Sequence, residues 1–406
     1  MKKMNVLLFA VILCFSIAGV AASEPMFQEV ILHPSANVQL YGFTSSIASN
    51  SYVFYGTKML PGTTINDRVA DLYEDAPAQS ESFAMAVDAK GATLWEVSIP
   101  NSGSINTCSG AWIFEDGRTL LRLRSIHVLP VVSYVIVDKG GTVVETFSSE
   151  EIMNDVSFNN LSVVYDGLID SGKTYDETGA GSGIHAGSGI SLLNKDRMYQ
   201  WTVTDTSLEG CIFDSDPFLT EDSYIFSGTK MMKKDDATTE CPAIAKVSKE
   251  GVFMWLFLGS EYSFGRARDA VQAQMGDIYF ISDVDPLTPS PVEGTIGCFL
   301  VKLNSSGEHV WTNDLSETGA ISSISSFLMG GEQMVAAGYD GSGAVVIIFI
   351  DLDGSITSLT STKLVQGSIV AGVTSPQNGI SFLCSEILGK ANQTIYTLLQ
   401  ENAAGN

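Results

Sequence analysis

Two arginines separated by a single residue, Arg266 and Arg268, carry the clearest binding chemistry in the chain. They sit in the stretch Glu261-Tyr262-Ser263-Phe264-Gly265-Arg266-Ala267-Arg268-Asp269. On a strand, side chains two apart share one face, so the pair is placed to hold a carboxylate or phosphate, with the Tyr262 hydroxyl beside it. The competing reading is that Asp269 and neighbouring acids neutralise them, because a charge drawn out of water needs a partner. Two further groups lie in long polar segments. Asp67, Arg68 and Tyr73 fall within 59–82, and Lys173, Tyr175 and His185 within about 168–187. Acids and tyrosines of this kind suit a peptide or a carbohydrate.

Other chemistries lack their residues. The chain has no Gly-x-Ser-x-Gly elbow, no His-Glu-x-x-His and no phosphate loop, which disfavours serine hydrolase, zincin and nucleotide functions. Its four histidines are far apart. Asp351-Leu352-Asp353-Gly354 and Asp283-Val284-Asp285 offer too few alternating acids for a calcium loop, and Asp-Gly is ordinary turn chemistry. Cys108, Cys211, Cys241, Cys298 and Cys384 show no Cys-x-x-Cys spacing. Most sit in apolar runs, where a thiol packs as a small hydrophobe. No catalytic residue is assigned, and no metal or cofactor is expected.

What must position these residues is a repeat. An apolar strand, a tight polar turn and a second strand recur with turn positions at 91, 141, 197, 251, 307, 354 and 405. The spacing stays near 50 residues, and all but position 197, an arginine, are glycine, the residue that tolerates the positive φ of a short hairpin turn. Each unit has an upstream half: Ser51–Lys58 closely matches Ser223–Lys230, with equivalents at 118–125, 161–167, 277–283, 333–339 and 379–385. A further apolar stretch precedes most of these. Four strands per unit and this period predict an all-β, seven-bladed β-propeller of four antiparallel strands per blade. The seventh unit stops at its last turn, and Gln28–His33 is a spare strand. It is predicted to pair with 395–401 and close the last blade. The connections between second and third strands are long at 59–82, 168–187, 231–242 and 284–296, and short in blades 2, 6 and 7, which puts the binding face at that end.

The first residues read as a leader. Lys2 and Lys3 precede an apolar run, and Val20-Ala21-Ala22 supplies the small residues a signal peptidase reads. The expected organisation is a signal peptide over 1–22, cut after Ala22 or Ser23, and one propeller domain over 23–406. The protein is then secreted: extracellular, on the cell surface or periplasmic. The formal charge of −24 disfavours nucleic acid and anionic lipid as partners. No later segment is long and apolar enough to cross a bilayer as a helix.

The stretch Phe299–Trp311 resembles bacterial β-propeller repeats of the SBBP and PQQ-like kind through Phe299, Val301, Lys302, Leu303, Asn304, Gly307 and Trp311. Ala86, Asp88, Gly91 and Trp95 match more loosely, as do Lys246, Gly251 and Trp255. The resemblance covers the second half of each blade and implies fold more than activity. In the similar quinoprotein dehydrogenases such tryptophans dock neighbouring blades. Those proteins also carry a vicinal disulfide, and no adjacent cysteines occur here. Trp95, Trp201, Trp255 and Trp311 are therefore expected to be blade staples. The resulting expectation is a monomeric, non-enzymatic binding or scaffolding propeller for an extracellular protein, peptide or glycan. The alternative is a secreted glycan hydrolase or lyase using loop carboxylates, with a quinone-dependent oxidoreductase third.

Overall fold

The computed structural model describes residues 27–34, 38–46, 50–60, 80–100, 106–125, 132–148, 161–164, 167–171, 190–194, 196–203, 205–213, 215–234, 237–259, 265–285, 287, 297–319, 321–340, 342–361, 367–375, 379–388 and 393–401. They form seven antiparallel sheets arranged as a seven-bladed propeller. Blade 1 runs Val38–Ser46, Ser51–Met59, Ser80–Asp88 and Thr93–Ile99, from the innermost strand outward. Blade 2 runs Asn106–Ile113, Thr119–Ser125, Val132–Val137 and Val143–Ser148. Blade 3 is built of the shorter strands Leu161–Val164, Gly167–Asp170, Ile190–Asn194 and Tyr199–Val203. In blade 4 the inner strand is split into Cys211–Ile212 and Phe218–Leu219, followed by Ser223–Lys234, Ala237–Ser248 and Phe253–Leu258. Blade 5 holds Ala267–Gln272, Ile278–Ser282, Phe299–Leu303 and His309–Asp314. Blade 6 holds Ser323–Gly330, Gln333–Tyr339, Val345–Ile350 and Ile356–Ser361. Blade 7 takes Gly367–Ser375, Gly379–Leu388 and Gln393–Glu401, and its fourth strand is Phe27–Leu32.

That fourth strand closes the ring as the sequence predicts. Phe27–Leu32 pairs antiparallel with Tyr396–Glu401, residue by residue. Val30 and Leu32 are buried with Leu383, Tyr396 and Leu398 of blade 7 and Tyr52, Phe54 and Phe83 of blade 1. A closing strand removes the sheet edge that two loose termini would leave.

The core is divided among the junctions. Seven apolar clusters of described residues each join two successive blades. A blade alone would expose both sheet faces, so only the closed ring buries them. Four junctions share a staple. Trp95, Trp201, Trp255 and Trp311 on outermost strands lie over the turn glycines of the next blade, Gly141, Gly251, Gly307 and Gly354. The Trp201 indole donates to the Lys249 carbonyl at 2.9 Å, and that of Trp255 to the Ser305 carbonyl at 3.2 Å. Gly251 shows why the residue is glycine. Its φ is +81°, and a Cβ there would lie 2.5 Å from the Trp201 ring. Val30 takes the tryptophan's place over Gly91 at the closing junction.

The junction of blades 2 and 3 departs from this rule. The turn position holds Arg197, at φ +64°, where the other described turns have glycine. The tryptophan position of blade 2 holds Glu145, and the two side chains form an ion pair. The Arg197 guanidinium also sits 4.4 Å from the centroid of the Phe147 ring.

Two expectations need correction. Residues 231–242 are not a loop: Ser223–Lys234 and Ala237–Ser248 pair continuously from Ser223↔Ser248 to Lys234↔Ala237. An antiparallel pair satisfies its own backbone, so the hairpin needs no alternating pattern to extend past the ring. In blade 3, residues 161–167 are not one strand. They hold the inner strand Leu161–Val164 and the start of the second, Gly167–Asp170.

Candidate functional site

The first strands of successive blades lie against one another and form the inner wall of the ring. Most of them carry the same irregularity. The pairing register slips between Leu40 and Gly42, Cys108 and Gly110, Arg268 and Val271, Ile324 and Ser326, and Ile369 and Ala371. Each slip is a β-bulge, which puts extra residues such as Tyr41, Ser109 and Ser325 on the inner strand and re-aims their neighbours. In blade 5 the extra residues include Asp269, held at φ +42°, a region that a non-glycine side chain enters at a cost.

Blade 4 carries the largest departure. Its inner strand breaks at Phe213 and resumes at Phe218, and the interruption contains Asp216 and Pro217. Proline cannot donate to a ladder, so the break falls where the sequence forbids pairing. The interruption is anchored at its start. Phe213 is buried among Cys211, Tyr224 and Phe226, and its carbonyl accepts from the Ser171 hydroxyl of blade 3 at 2.9 Å.

From that base Asp216 reaches two other blades. Its Oδ2 accepts from the Trp112 indole of blade 2 at 3.1 Å, and its Oδ1 from the Ser162 hydroxyl of blade 3 at 2.7 Å. Blade 3 lies between blades 2 and 4, so a side chain of blade 4 meets Trp112 only on the inside of the ring. Asp216 remains exposed there. Two donors fix the orientation of its carboxylate while further lone pairs stay open.

Around it stand Trp112, Arg122 and Tyr55. Gly110 makes room for Trp112: a Cβ there would lie 2.5 Å from its ring. Arg122 is the register partner of Gly110 and places its guanidinium 5.2 Å from the centroid of Trp112. Its Nε donates to Ser109 Oγ at 3.1 Å and its Nη2 to the Ser109 carbonyl at 3.2 Å. Tyr55 occupies the equivalent position in blade 1, opposite Gly42, as Phe382 does opposite Gly372 in blade 7. The Tyr55 hydroxyl lies where a Cβ of Gly42 would be, 2.2 Å from that point. No described residue hydrogen-bonds it. Burial first, and then the Asp216 carboxylate, push its pKa up, with Arg122 opposing. The phenol is therefore a neutral donor at physiological pH.

Of the residues picked from sequence, two fall within the described regions. Arg266 is exposed just before the inner strand of blade 5. Arg268 is exposed and forked onto Asp283, with Nη2 at 3.0 Å and Nε at 3.2 Å from Oδ2. Its partner stands just after the second strand of the same blade, whereas the sequence points first to Asp269. Tyr262, Asp67, Arg68, Tyr73, Lys173, Tyr175 and His185 lie outside the described residues. Most of them fall between the second and third strands of blades 1 and 3, whose flanking ends Met59, Ser80, Asp170 and Ile190 lie at corresponding places in their sheets.

Nucleophile chemistry finds no support in the thiols. Cys108, Cys211, Cys241, Cys298 and Cys384 are free and buried. Burial pushes Cys108, Cys211, Cys298 and Cys384 up to about 12, so they are neutral thiols at physiological pH. His309 bonds the Thr312 hydroxyl at 2.9 Å on an outermost strand, away from the inner wall. Among the described residues no three His, Cys, Asp or Glu groups cluster to hold a metal ion, and no helix is long and apolar enough to cross a membrane.

Comparison with known proteins bears on the fold. No family model matches the sequence, and no curated protein does. Among solved structures, the chain is similar to the β-propeller domain of the Trilobed protease from Pyrococcus furiosus, described as having an open velcro topology. The identity is 9%, the TM-score 0.50, and the similarity covers 90% of this chain and 94% of that one. It is also similar to the acylaminoacyl peptidase of Pyrococcus horikoshii, at 10% identity and a TM-score of 0.52. That match covers 89% of this chain and 52% of the peptidase, so the chain spans about half its length. A europium-containing methanol dehydrogenase superposes less well, at 11% identity and a TM-score of 0.43 over 89% of this chain and 85% of that one. At these identities the likeness is one of fold alone.

Proposed function

We propose that the protein is a secreted, monomeric binding propeller without catalysis of its own. Its mature chain starts after residue 22, and its ligand is an extracellular protein, peptide or glycan. The ligand approaches from the end that bears the long connections and is held on the inner wall where blades 1 to 4 meet. The observation that carries this reading is the set of groups around Asp216. A carboxylate oriented by Trp112 and Ser162, a guanidinium stacked on Trp112 and a phenol at Tyr55 that no described residue hydrogen-bonds converge from four separate blades. Donors and acceptors fixed before a ligand arrives lower the ordering cost of binding.

An array of extracellular glycans and peptides, probed with residues 23–406 and with the Asp216→Asn variant, tests this. The expected result is a ligand retained by the first protein and lost by the second. A ligand indifferent to Asp216, or turnover of a glycan on the array, contradicts it. N-terminal sequencing of the exported chain is expected to begin at Ser23 or Glu24.

A further inference from the structure

The geometry points to a terminal ring of a neutral saccharide as the ligand of the site around Asp216, an inference that rests on the binding reading above.

Charge comes first. The described charged side chains that act on Tyr55 are one carboxylate, Asp216, and one guanidinium, Arg122. The chain around it carries −24. An anionic ligand would meet that field without a surplus of cations at the site, and a cationic one would meet the guanidinium. A neutral ligand meets neither difficulty.

Hydrogen-bonding capacity is the second argument. Asp216 offers only acceptors, and its two existing donors leave lone pairs open on an exposed side chain. The Tyr55 hydroxyl both donates and accepts, and no described residue engages it. A ligand must therefore present donors to Asp216 and, beside them, a group able to answer a phenol. Vicinal sugar hydroxyls do both, because each is donor and acceptor at once. A peptide backbone alternates single donors and single acceptors along its length and meets this arrangement less well.

Shape is the third. Asp216, Trp112, Arg122 and Tyr55 come from three different blades, and Ser162 from a fourth, so they surround a point on the wall rather than tracking a line. A site of that form takes the end of a chain or a single ring.

Calorimetric titration of residues 23–406 tests this. The probes are D-glucose, D-galactose, D-mannose and N-acetyl-D-glucosamine with their β1,4-linked disaccharides, and a parallel set of zwitterionic amino acids and dipeptides. At least one saccharide is expected to bind with a dissociation constant below about 1 mM. Asp216→Asn is expected to weaken it by about 10- to 100-fold and Tyr55→Phe by about 5-fold, the range for losing a charged and a neutral hydrogen bond. The unfolding midpoint of Tyr55→Phe is expected to stay unchanged, because that hydroxyl supports no described contact. Saccharide binding that neither variant alters overturns the inference. Binding of amino acids or dipeptides, sensitive to both variants and without any saccharide binding, overturns the ligand class and leaves the site standing. No binding in either set overturns both.

Discussion

The junctions of blades 4 to 6 and the single junction of blades 2 and 3 are joined by different means. At the 4–5 and 5–6 junctions a tryptophan lies over a left-handed glycine of the next blade, Trp255 on Gly307 and Trp311 on Gly354. At the 2–3 junction the corresponding pair is Glu145 and Arg197. Blade 3 also has short strands, and its inner wall is tied to both neighbours through Asp216. The stapled side is a frame of buried aromatic area and tight turns. The other side spends hydrogen bonds and charges, which are worth less as glue and more as recognition. The candidate site spans the one junction where an ion pair stands in the staple's place.

Removing the closing strand is expected to have the largest effect, because it breaks both sectors at once. A chain beginning at residue 34 loses Val30 and Leu32 from the core and uncovers the edge of Gln393–Glu401. It is expected to be recovered as aggregate, or to lose its cooperative unfolding transition by circular dichroism. A soluble chain with an unchanged midpoint would show that the ring does not depend on this closure.

The frame is broken next by Gly251→Ala. The added methyl meets both the positive φ and the Trp201 ring, and the two costs together come to about 2–4 kcal/mol, read as a lower denaturation midpoint. Alkaline pH acts through buried thiols in blades 2, 4, 5 and 7. Cys108, Cys211, Cys298 and Cys384 have folded pKa values pushed from 9.0 up to about 12. Between those values the unfolded chain gives up its thiol protons while the folded one keeps them. The stabilisation is thus complete below pH 9 and falls as pH rises towards 12. Denaturation at pH 8 and at pH 10.5 checks the sign, and labelling by a thiol reagent is expected only on unfolding.

The smallest effect sharpens the comparison most. Glu145→Trp combined with Arg197→Gly writes the staple into the junction that lacks it. A partly exposed ion pair is worth about 0–1 kcal/mol, and the glycine relieves the strain at φ +64°. The double variant is expected to gain about 1 kcal/mol. A loss of similar size would mean that the polar pair is itself the better joint.

The frame could be read from the sequence because it repeats. Glycines at 91, 141, 251, 307 and 354 mark turns that the structure confirms at positive φ, and Arg197 adopts the same conformation without being glycine. The spare strand before blade 1 found its partner for the same reason: a ring with one strand missing has one place for it. The site was not legible, because it does not repeat. Asp216, Trp112, Ser162 and Tyr55 are drawn from four blades, and nothing in their spacing brings them together. One local signal was present: Asp214-Ser215-Asp216-Pro217 interrupts an inner strand with polar residues and a proline. The arginine pair drew attention because close charges are visible in sequence, yet Arg268 is taken up by Asp283. The reach of the blade 4 hairpin was missed because Met231–Lys234 lacks the alternation that marks a half-buried strand.

The separation of frame from site is the central claim. Thermal unfolding of Gly251→Ala and Tyr55→Phe, each with and without the tightest-binding saccharide, tests it in one measurement. Gly251→Ala is expected to melt lower and still gain the full ligand-induced rise. Tyr55→Phe is expected to melt where the parent does and gain much less. Two variants that lose midpoint and ligand response together would contradict it.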